Sequence, residues 1–363
     1  MIIVHFSEYA SGGVATYLRN VISYQLDDDN FGKVVLFNSN FNSENINFNS
    51  KKFEKHVYSY KRSLLGIFKL LRMRKNIDKI NPDIVHLHSS FAGLLRISYL
   101  LHKPDYKVVY CAHGWSFIQK NKNKLIKHLY AMIERLESKA TDLIINISGN
   151  EQKEAINNGI PQKKMRIIYN TISPKVISKN VKNPFSNDSK KLMFIGRFDN
   201  AKGLQPLLDK FDFSNSNIEF VIIGEPIVND SEGTYVNKKN IKFLGWVNHD
   251  FIDSYIKYTD AIIIPSIWEG FGLVALEAMK NSKMTLVSDV GGLSEIVEDG
   301  FNGLKFNPNS REDVYSTLKK FETMPKDEIS KMGSNGRKLF YSKYGDKKIY
   351  SKLTDLYIEI LSK

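Results

Sequence analysis

Residues 261–279 read AIIIPSIWEGFGLVALEAM, and the reading of this stretch decides the fold class. Ala261–Ile264 is a short apolar run, the pattern of a strand buried on both faces. Pro265 stops it. A loop follows with Glu269 and Gly270-Phe271-Gly272, and an apolar-periodic helix begins near Leu273 with Glu277 inside it. This order sets a helix N-terminus at the carboxyl end of a strand. The unpaired N–H groups and the positive dipole end there suit a phosphate. Glu277 stands about 6 Å along the axis from the helix start, at ~1.5 Å per residue. That is roughly the step from a diphosphate to its ribose. Glu269, in the loop, would face the end from which a sugar hangs. The spacing reads as a sugar-nucleotide site. For this window alone, an ordinary helix start with a solvated loop glutamate is an equally good account.

Working outward, strand-like and helix-like segments alternate along the whole chain. Strands are expected at Ile2–Phe6, Lys33–Phe37, Ile84–His88, Lys107–Ala112, Leu143–Ile147 and Arg166–Tyr169, with helices such as Val14–Tyr24, Ser63–Ile80 and Leu125–Ala140 between them. Such alternation argues for a parallel sheet covered on both faces. Residues 171–190 (TISPKVISKNVKNPFSNDSK) break the rhythm with two prolines and a polar cluster. A second series then runs through Lys191–Ile195, Glu219–Ile223, Ile241–Leu244, Ala261–Ile264, Thr285–Ser288 and Gly303–Phe306, and ends on a helix over Lys347–Leu361. The expected fold class is α/β. A first doubly wound, Rossmann-like domain spans 1–172, a linker 173–190 and a second such domain 191–345. Ligands of such sheets bind outside the carboxyl ends of the strands.

The 363 residues suffice for two ordinary domains, with 42% hydrophobic and 25% charged residues. No apolar run reaches the length a spanning helix needs. The start, MIIVHFSEYASGG, has no basic stretch ahead of its apolar run and reads as a first strand. The single cysteine, Cys111, excludes a disulfide framework, and the cytoplasm is the expected compartment. Net charge is +13, of which residues 1–171 carry +11. That imbalance suits an anionic partner, whether nucleic acid, a membrane surface or a phosphorylated acceptor. Solvated faces of a lysine-rich protein explain it equally.

Several clusters stand at expected strand ends. Ser11-Gly12-Gly13 follows the first strand, although it is not a GxGxxG fingerprint. Gly196-Arg197 and Lys202-Gly203 follow the first strand of the second series, where both cations could meet the charge on a departing diphosphate. His113-Gly114 closes the strand at 107–112, and a histidine there could bond a sugar hydroxyl. His86 and His88 share one face of a strand, but no carboxylate or thiol neighbours them in sequence, so no metal is expected. Asp27-Asp28-Asp29 reads as solvated turn chemistry. Lys61–Ile80 carries seven basic residues and one acidic residue. It could lie on an anionic bilayer or turn its apolar stripe to a core. Gln119–Lys127 adds four lysines.

Taken together, these residues resemble the retaining glycosyltransferases of family 4, which have the GT-B fold. The likeness runs in register along nearly the whole chain. It comprises the Gly-Gly loop, His113-Gly114, Asn170, GRFDNAKG at 196–203, Gly245-Trp246-Val247, EGFGLVALE at 269–277, GGLSE at 291–295 and EDGFNGLKF at 298–306. One departure is Gly224-Glu225-Pro226, where many relatives carry a second glycine.

The resemblance implies two Rossmann-like domains facing across a cleft, with a last helix over 346–363 crossing back to the first. It implies that Glu277 binds the nucleoside ribose. Glu269, with the backbone at Phe271, Gly272 and Leu273, would hold the donor sugar, and Arg197 and Lys202 the diphosphate. His113 would contact the sugar, Gly13 would approach the diphosphate, and Val247 would line the donor. The implied reaction is retaining, metal-free and cofactor-free transfer from a nucleotide-diphosphate sugar, UDP favoured, to a glycan hydroxyl. A polyprenyl-diphosphate-linked acceptor, peripheral attachment to a membrane and surface-polysaccharide assembly are the implied setting. A sugar-nucleotide 2-epimerase of the same fold is the runner-up. A nucleic-acid-binding protein is disfavoured, since no basic motif interleaved with aromatics is present. Absence of GxGxxG disfavours a dinucleotide oxidoreductase.

Overall fold

The computed structural model describes residues 1–119, 122–186, 188–226 and 237–363. Lys120, in the lysine-rich segment, and Asn187, in the expected linker, lie outside the described residues. The chain divides into two compact units, one of residues 1–172 with 346–363 and one of residues 173–345.

The first unit is built on seven strands: β1 (Ile2–Ser7), β2 (Lys33–Ser39), β3 (Phe53–Tyr58), β4 (Ile84–His88), β5 (Lys107–Cys111), β6 (Leu143–Asn146) and β7 (Met165–Ile167). All pairings are parallel, in the order β3-β2-β1-β4-β5-β6-β7. The strands read as near-continuous apolar runs because both faces are covered. The strand that departs furthest from this is β3, FEKHVY, which the sequence reading missed. As an edge strand it carries charges that a central strand could not bury. Glu54 on it pairs with Lys33 and His56.

Right-handed crossovers put the helices that follow β3, β4 and β5 on one face of this sheet. Val85, Leu87, Leu95, Tyr110, Trp115 and Ala131 pack together there. The expected helix over 63–80 forms as two, Leu64–Arg72 and Arg74–Asp78. Its stripe is also divided. Leu70, Met73 and Ile77 are buried, while Leu65 and Phe68 are 82% and 65% exposed.

Helix Lys124–Glu137 packs inside out. Its inward residues include Glu134 and Glu137, both bonded at 2.6 Å to a fully buried Arg96 guanidinium, which also lies 3.5 Å from the Tyr110 ring centre. Its apolar stripe, Leu125, Leu129, Met132 and Leu136, faces outward, with Leu125 80% exposed. The usual amphipathic rule would turn that stripe to the core. The buried Arg96 needs counter-charge, and satisfying it reverses the helix.

On the other face, helix Gly13–Asp27 packs against the last helix, Asp346–Leu361, which belongs to this unit. Tyr24 meets Tyr350 at 5.4 Å between ring centres, and Tyr357 reaches β4 with its hydroxyl 2.7 Å from His86 Nδ1.

The second unit repeats the plan with β8 (Lys190–Ile195), β9 (Ile218–Ile223), β10 (Ile241–Gly245), β11 (Ala261–Ile264), β12 (Met284–Ser288) and β13 (Gly303–Phe306). They pair in parallel, in the order β10-β9-β8-β11-β12-β13. Residues 177 and 179, within the segment expected as linker, are tied to this unit. Ile177 N donates to Asp253 Oδ2 at 2.9 Å and Lys179 N to Ser254 Oγ at 2.7 Å. No helix among the described residues is long and apolar enough to cross a membrane.

Candidate functional site

In each sheet the strand order reverses once, and ligands of such sheets bind beyond the carboxyl ends of the strands at that point. In the second unit the reversal falls between β8 and β11. The loop after β8 is GRFDNAKG and the loop after β11 is PSIWEGFG, so the fold itself brings together two motifs more than sixty positions apart.

The two loops are joined by backbone and side chain. Ile267 N donates to Ala201 O at 2.8 Å, and Lys202 Nζ donates to Glu269 Oε2 at 2.6 Å. Ser266 Oγ lies 3.3 Å from the same carboxylate oxygen. Asp199 Oδ1 accepts from Lys202 N at 2.9 Å, and its other oxygen is 3.3 Å from the Arg197 guanidinium. Arg197, Asp199, Lys202 and Glu269 thus form one charged chain. Arg197 is its most exposed member, with 60% of the side chain exposed.

Helix Leu273–Lys280 starts beyond Gly272 and buries Glu277, which is 6% exposed. Glu277 Oε1 is 2.9 Å from His249 Nε2. That hydrogen bond, opposed by partial burial, raises the His249 pKa above its ordinary value. Farther along, Lys280 and Asp253 form a buried pair at 2.9 Å. Neither His249 nor Ser266 was singled out from sequence. A contact across 28 positions leaves no local signal.

Each of the loops after β8 and β11 is also approached by the loop of a neighbouring strand, β12 beside β11 and β9 beside β8, so closely that glycine is required. A Cβ on Gly291 would lie 1.9 Å from Glu269 O, and one on Gly224 would lie 1.8 Å from Gly196 O; both backbones have positive φ. The Gly224-Glu225-Pro226 loop is held by the protein itself. Glu225 Oε1 accepts from Trp246 N at 3.1 Å, beside Val247, and Pro226 bridges to Phe198.

The first unit reverses between β1 and β4. Gly13 begins its helix after Gly12, whose N–H donates to Glu44 Oε1 at 2.7 Å, and Glu44 also pairs with Arg19. An anionic side chain therefore already caps this loop. His113 sits at the end of β5 with φ of 52°, a strained backbone for a residue with a Cβ. Its Nε2 is 3.0 Å from His88 Nδ1, and the Tyr17 ring lies edge-on at 4.7 Å. Burial depresses the His113 pKa to about 3 and that of His5 to about 4.

His86 and His88 gather with His5, their nearest ring nitrogens all within 4.8 Å. Two of those nitrogens, His5 Nδ1 and His88 Nε2, already face each other at 2.9 Å. A divalent cation there would lie fully buried among neutral ligands, with no carboxylate or thiolate of the group to balance it. Asp28, from the triple aspartate, accepts from Asn30 and Thr354.

Known proteins match at every level. Residues 11–176 match the family Glycosyltransferase Family 4, and residues 177–339 match Glycosyl transferases group 1. A 41.2 kDa protein of the cps region of Klebsiella pneumoniae is 33% identical over 85% of this chain and 86% of its own length. The Escherichia coli UDP-Gal:α-D-GlcNAc-diphosphoundecaprenol α-1,3-galactosyltransferase is 27% identical over 83% of this chain and 80% of its own. Among solved structures, sucrose-phosphate synthase of Thermosynechococcus elongatus overlays 100% of both chains with a TM-score of 0.85 at 18% identity. Anabaena HepE in complex with UDP-glucose overlays 99% of this chain and 100% of its own with a TM-score of 0.77 at 16% identity. At such identities these two structures speak to the fold.

Proposed function

Because this chain belongs to the GT-B glycosyltransferases of the group 1 and family 4 kind, we propose that it moves a hexosyl unit from a UDP-sugar to a hydroxyl of a lipid-linked glycan. The anomeric configuration is retained and no metal is needed. The observation that carries this reading is the meeting of Lys202 and Glu269 at the β8/β11 reversal, one loop away from the helix that holds Glu277. Fixed cations beside a helix start suit a diphosphate leaving group. The carboxylates suit hydroxyls at its two ends, the sugar at Glu269 and the ribose at Glu277.

In this reading Arg197 and Lys202 stabilise the charge that grows on the β-phosphate as the glycosidic bond lengthens. The backbone at Phe271, Gly272 and Leu273, with Val247, holds the donor, Gly13 approaches its diphosphate, and His113 bonds the sugar. The acceptor hydroxyl attacks the face the phosphate is leaving, and that phosphate takes its proton. The protein contributes positioning and electrostatic support.

Two observations support a lipid-linked acceptor handled at an anionic membrane. The E. coli relative is named for a diphosphoundecaprenol-linked substrate. The first unit also shows the outward Leu125, Leu129, Met132 and Leu136 stripe with Lys124 and Lys127 on the same helix, and the exposed Leu65 and Phe68 beside Lys69 and Arg72. Apolar side chains rimmed by cations suit the interface of an anionic bilayer.

The test is a thermal-shift panel of nucleotide sugars, followed by transfer from the stabilising donor to polyprenyl-diphosphate glycans and NMR of the product's anomeric centre. Stabilisation by a UDP-sugar and a retained anomer are expected. An inverted product, or conversion of donor without acceptor, overturns the reading, the latter in favour of an epimerase.

A further inference from the structure

The buried histidines of the first unit are hydrogen-bonded in line. Gln25 Oε1 is 2.8 Å from His5 Nε2, His5 Nδ1 is 2.9 Å from His88 Nε2, and His88 Nδ1 is 3.0 Å from His113 Nε2. His5, His88 and Gln25 are essentially without solvent exposure. Burial holds all three imidazoles in this line far below their ordinary pKa, so each is neutral at physiological pH. A neutral imidazole has one N–H and one lone pair, so a row of them can point only one way.

The direction follows from the Gln25 amide at the buried end. Its Oε1 faces His5 Nε2, while its Nε2 is buried with no hydrogen-bond partner among the described residues; with the carbonyl in that place, which can only accept, His5 Nε2 carries a proton. His5 Nδ1 is then a lone pair and receives the proton of His88 Nε2. His88 Nδ1 is likewise a lone pair and receives the proton of His113 Nε2. His113 Nδ1 is left as a bare lone pair, with no hydrogen-bond partner among the described residues. We propose that Gln25, His5 and His88 are positioning residues that fix the tautomer of His113, so that His113 meets a donor-sugar hydroxyl as a hydrogen-bond acceptor at Nδ1.

One helix supports both ends of the device. Gly13–Asp27 supplies the glycine at its start, Tyr17 against the His113 ring and Gln25 under His5. Strand register supplies the rest, since His5 stands beside His86 and Ser7 beside His88. The strained backbone at His113 is paid for by this surrounding structure, which holds the ring in place.

The sugar contact rests on the proposed transferase function, whereas the tautomer does not, so the two are tested separately. The first measurement is ¹⁵N NMR of the full-length, histidine-labelled protein without nucleotide, with His113 identified by its loss in His113→Gln. A protonated Nε2 and an unprotonated Nδ1 are expected. The reverse tautomer overturns the proposal. So does zinc binding that displaces the His5 and His88 signals, which would make the cluster a metal site.

The second measurement compares Gln25→Met, which removes the acceptor, with Gln25→Glu, which keeps one. Gln25→Met is expected to mix the His113 tautomers and lower kcat/KM about tenfold, the scale of one lost hydrogen bond. Gln25→Glu is expected to keep both near wild type. An unchanged His113 tautomer in Gln25→Met overturns the proposal. A mixed tautomer with unchanged kcat/KM overturns the acceptor role. A protein that transfers no sugar, yet keeps the expected tautomer, counts against the transferase reading alone.

Discussion

Lys202 donates to Glu269 at 2.6 Å across the boundary between β8 and β11. In the free protein the cation assigned to the diphosphate is therefore neutralised by the carboxylate assigned to the sugar. A donor must enter between them or share them, so each group is preset by the other. Lys202→Ala is expected to lower kcat by about a hundredfold to a thousandfold, the size of losing one aimed electrostatic contact. Steady-state kinetics with Lys202→Arg beside it, expected to recover part of the loss, checks this.

A second prediction concerns pH. His249 holds a proton more tightly than an ordinary histidine because Glu277 is bonded to it, and Lys280 and Asp253 are the other charges around it. If a ribose takes Glu277, the proton leaves. Donor binding should then be weakest below the ordinary His pKa of 6.5, strengthen as pH rises through the raised His249 value, and be flat above it. The change is expected to reach up to about fivefold, as for a part-exposed ion pair. KM for the donor against pH checks it, and His249→Ala should flatten the profile. By the same sign, the stabilisation from this pair is fully present at low pH and lost on the alkaline side.

Removal of divalent cations is expected to leave the rate within about twofold, since Arg197 and Lys202 supply the positive charge in the proposed mechanism. Activity that disappears in EDTA and returns only with a metal would sink the metal-free reaction.

The reversed helix makes a stability prediction. Arg96→Met leaves Glu134 and Glu137 buried without their cation, and should destabilise the protein by about 3–5 kcal/mol. Burial already holds the Glu137 carboxyl above the usual range, even with Arg96 beside it. Urea unfolding followed by tryptophan fluorescence measures the loss. The triple variant Arg96→Met, Glu134→Leu, Glu137→Leu should recover much of it.

The outward stripe of that helix gives a fifth expectation. Leu125→Ser with Leu129→Ser should weaken sedimentation with anionic vesicles about tenfold or more, at about 25 cal/mol per Å² of apolar surface kept in water. Stability should barely change, because both side chains are largely exposed. Equal sedimentation of wild type and variant would remove the membrane from the proposal.

The two parallel α/β units were legible because apolar strands, strand-end glycines and helical periods are local signals. β3 was not, because an edge strand bearing Glu54, Lys55 and His56 lacks the apolar run of its neighbours. The meeting of Lys202 with Glu269 follows from strand order, which the sequence suggested only through the positions of the two loops. His86 and His88 were seen to share a face, but which strand would bring His5 beside them is a matter of long-range register. Helix Lys124–Glu137 carries a periodic apolar stripe, yet nothing local says that a buried Arg96 will claim its acidic side.

Tyr357 touches His86, 271 positions earlier in the chain. A ribosome delivers these two residues far apart in time. Until the last helix emerges, helix Gly13–Asp27 covers only part of this face of the nascent first sheet, and His86 lacks its Tyr357 partner. Maturation of this half must therefore wait for residues 346–363, and a nascent chain stalled before residue 346 should be a client for chaperones.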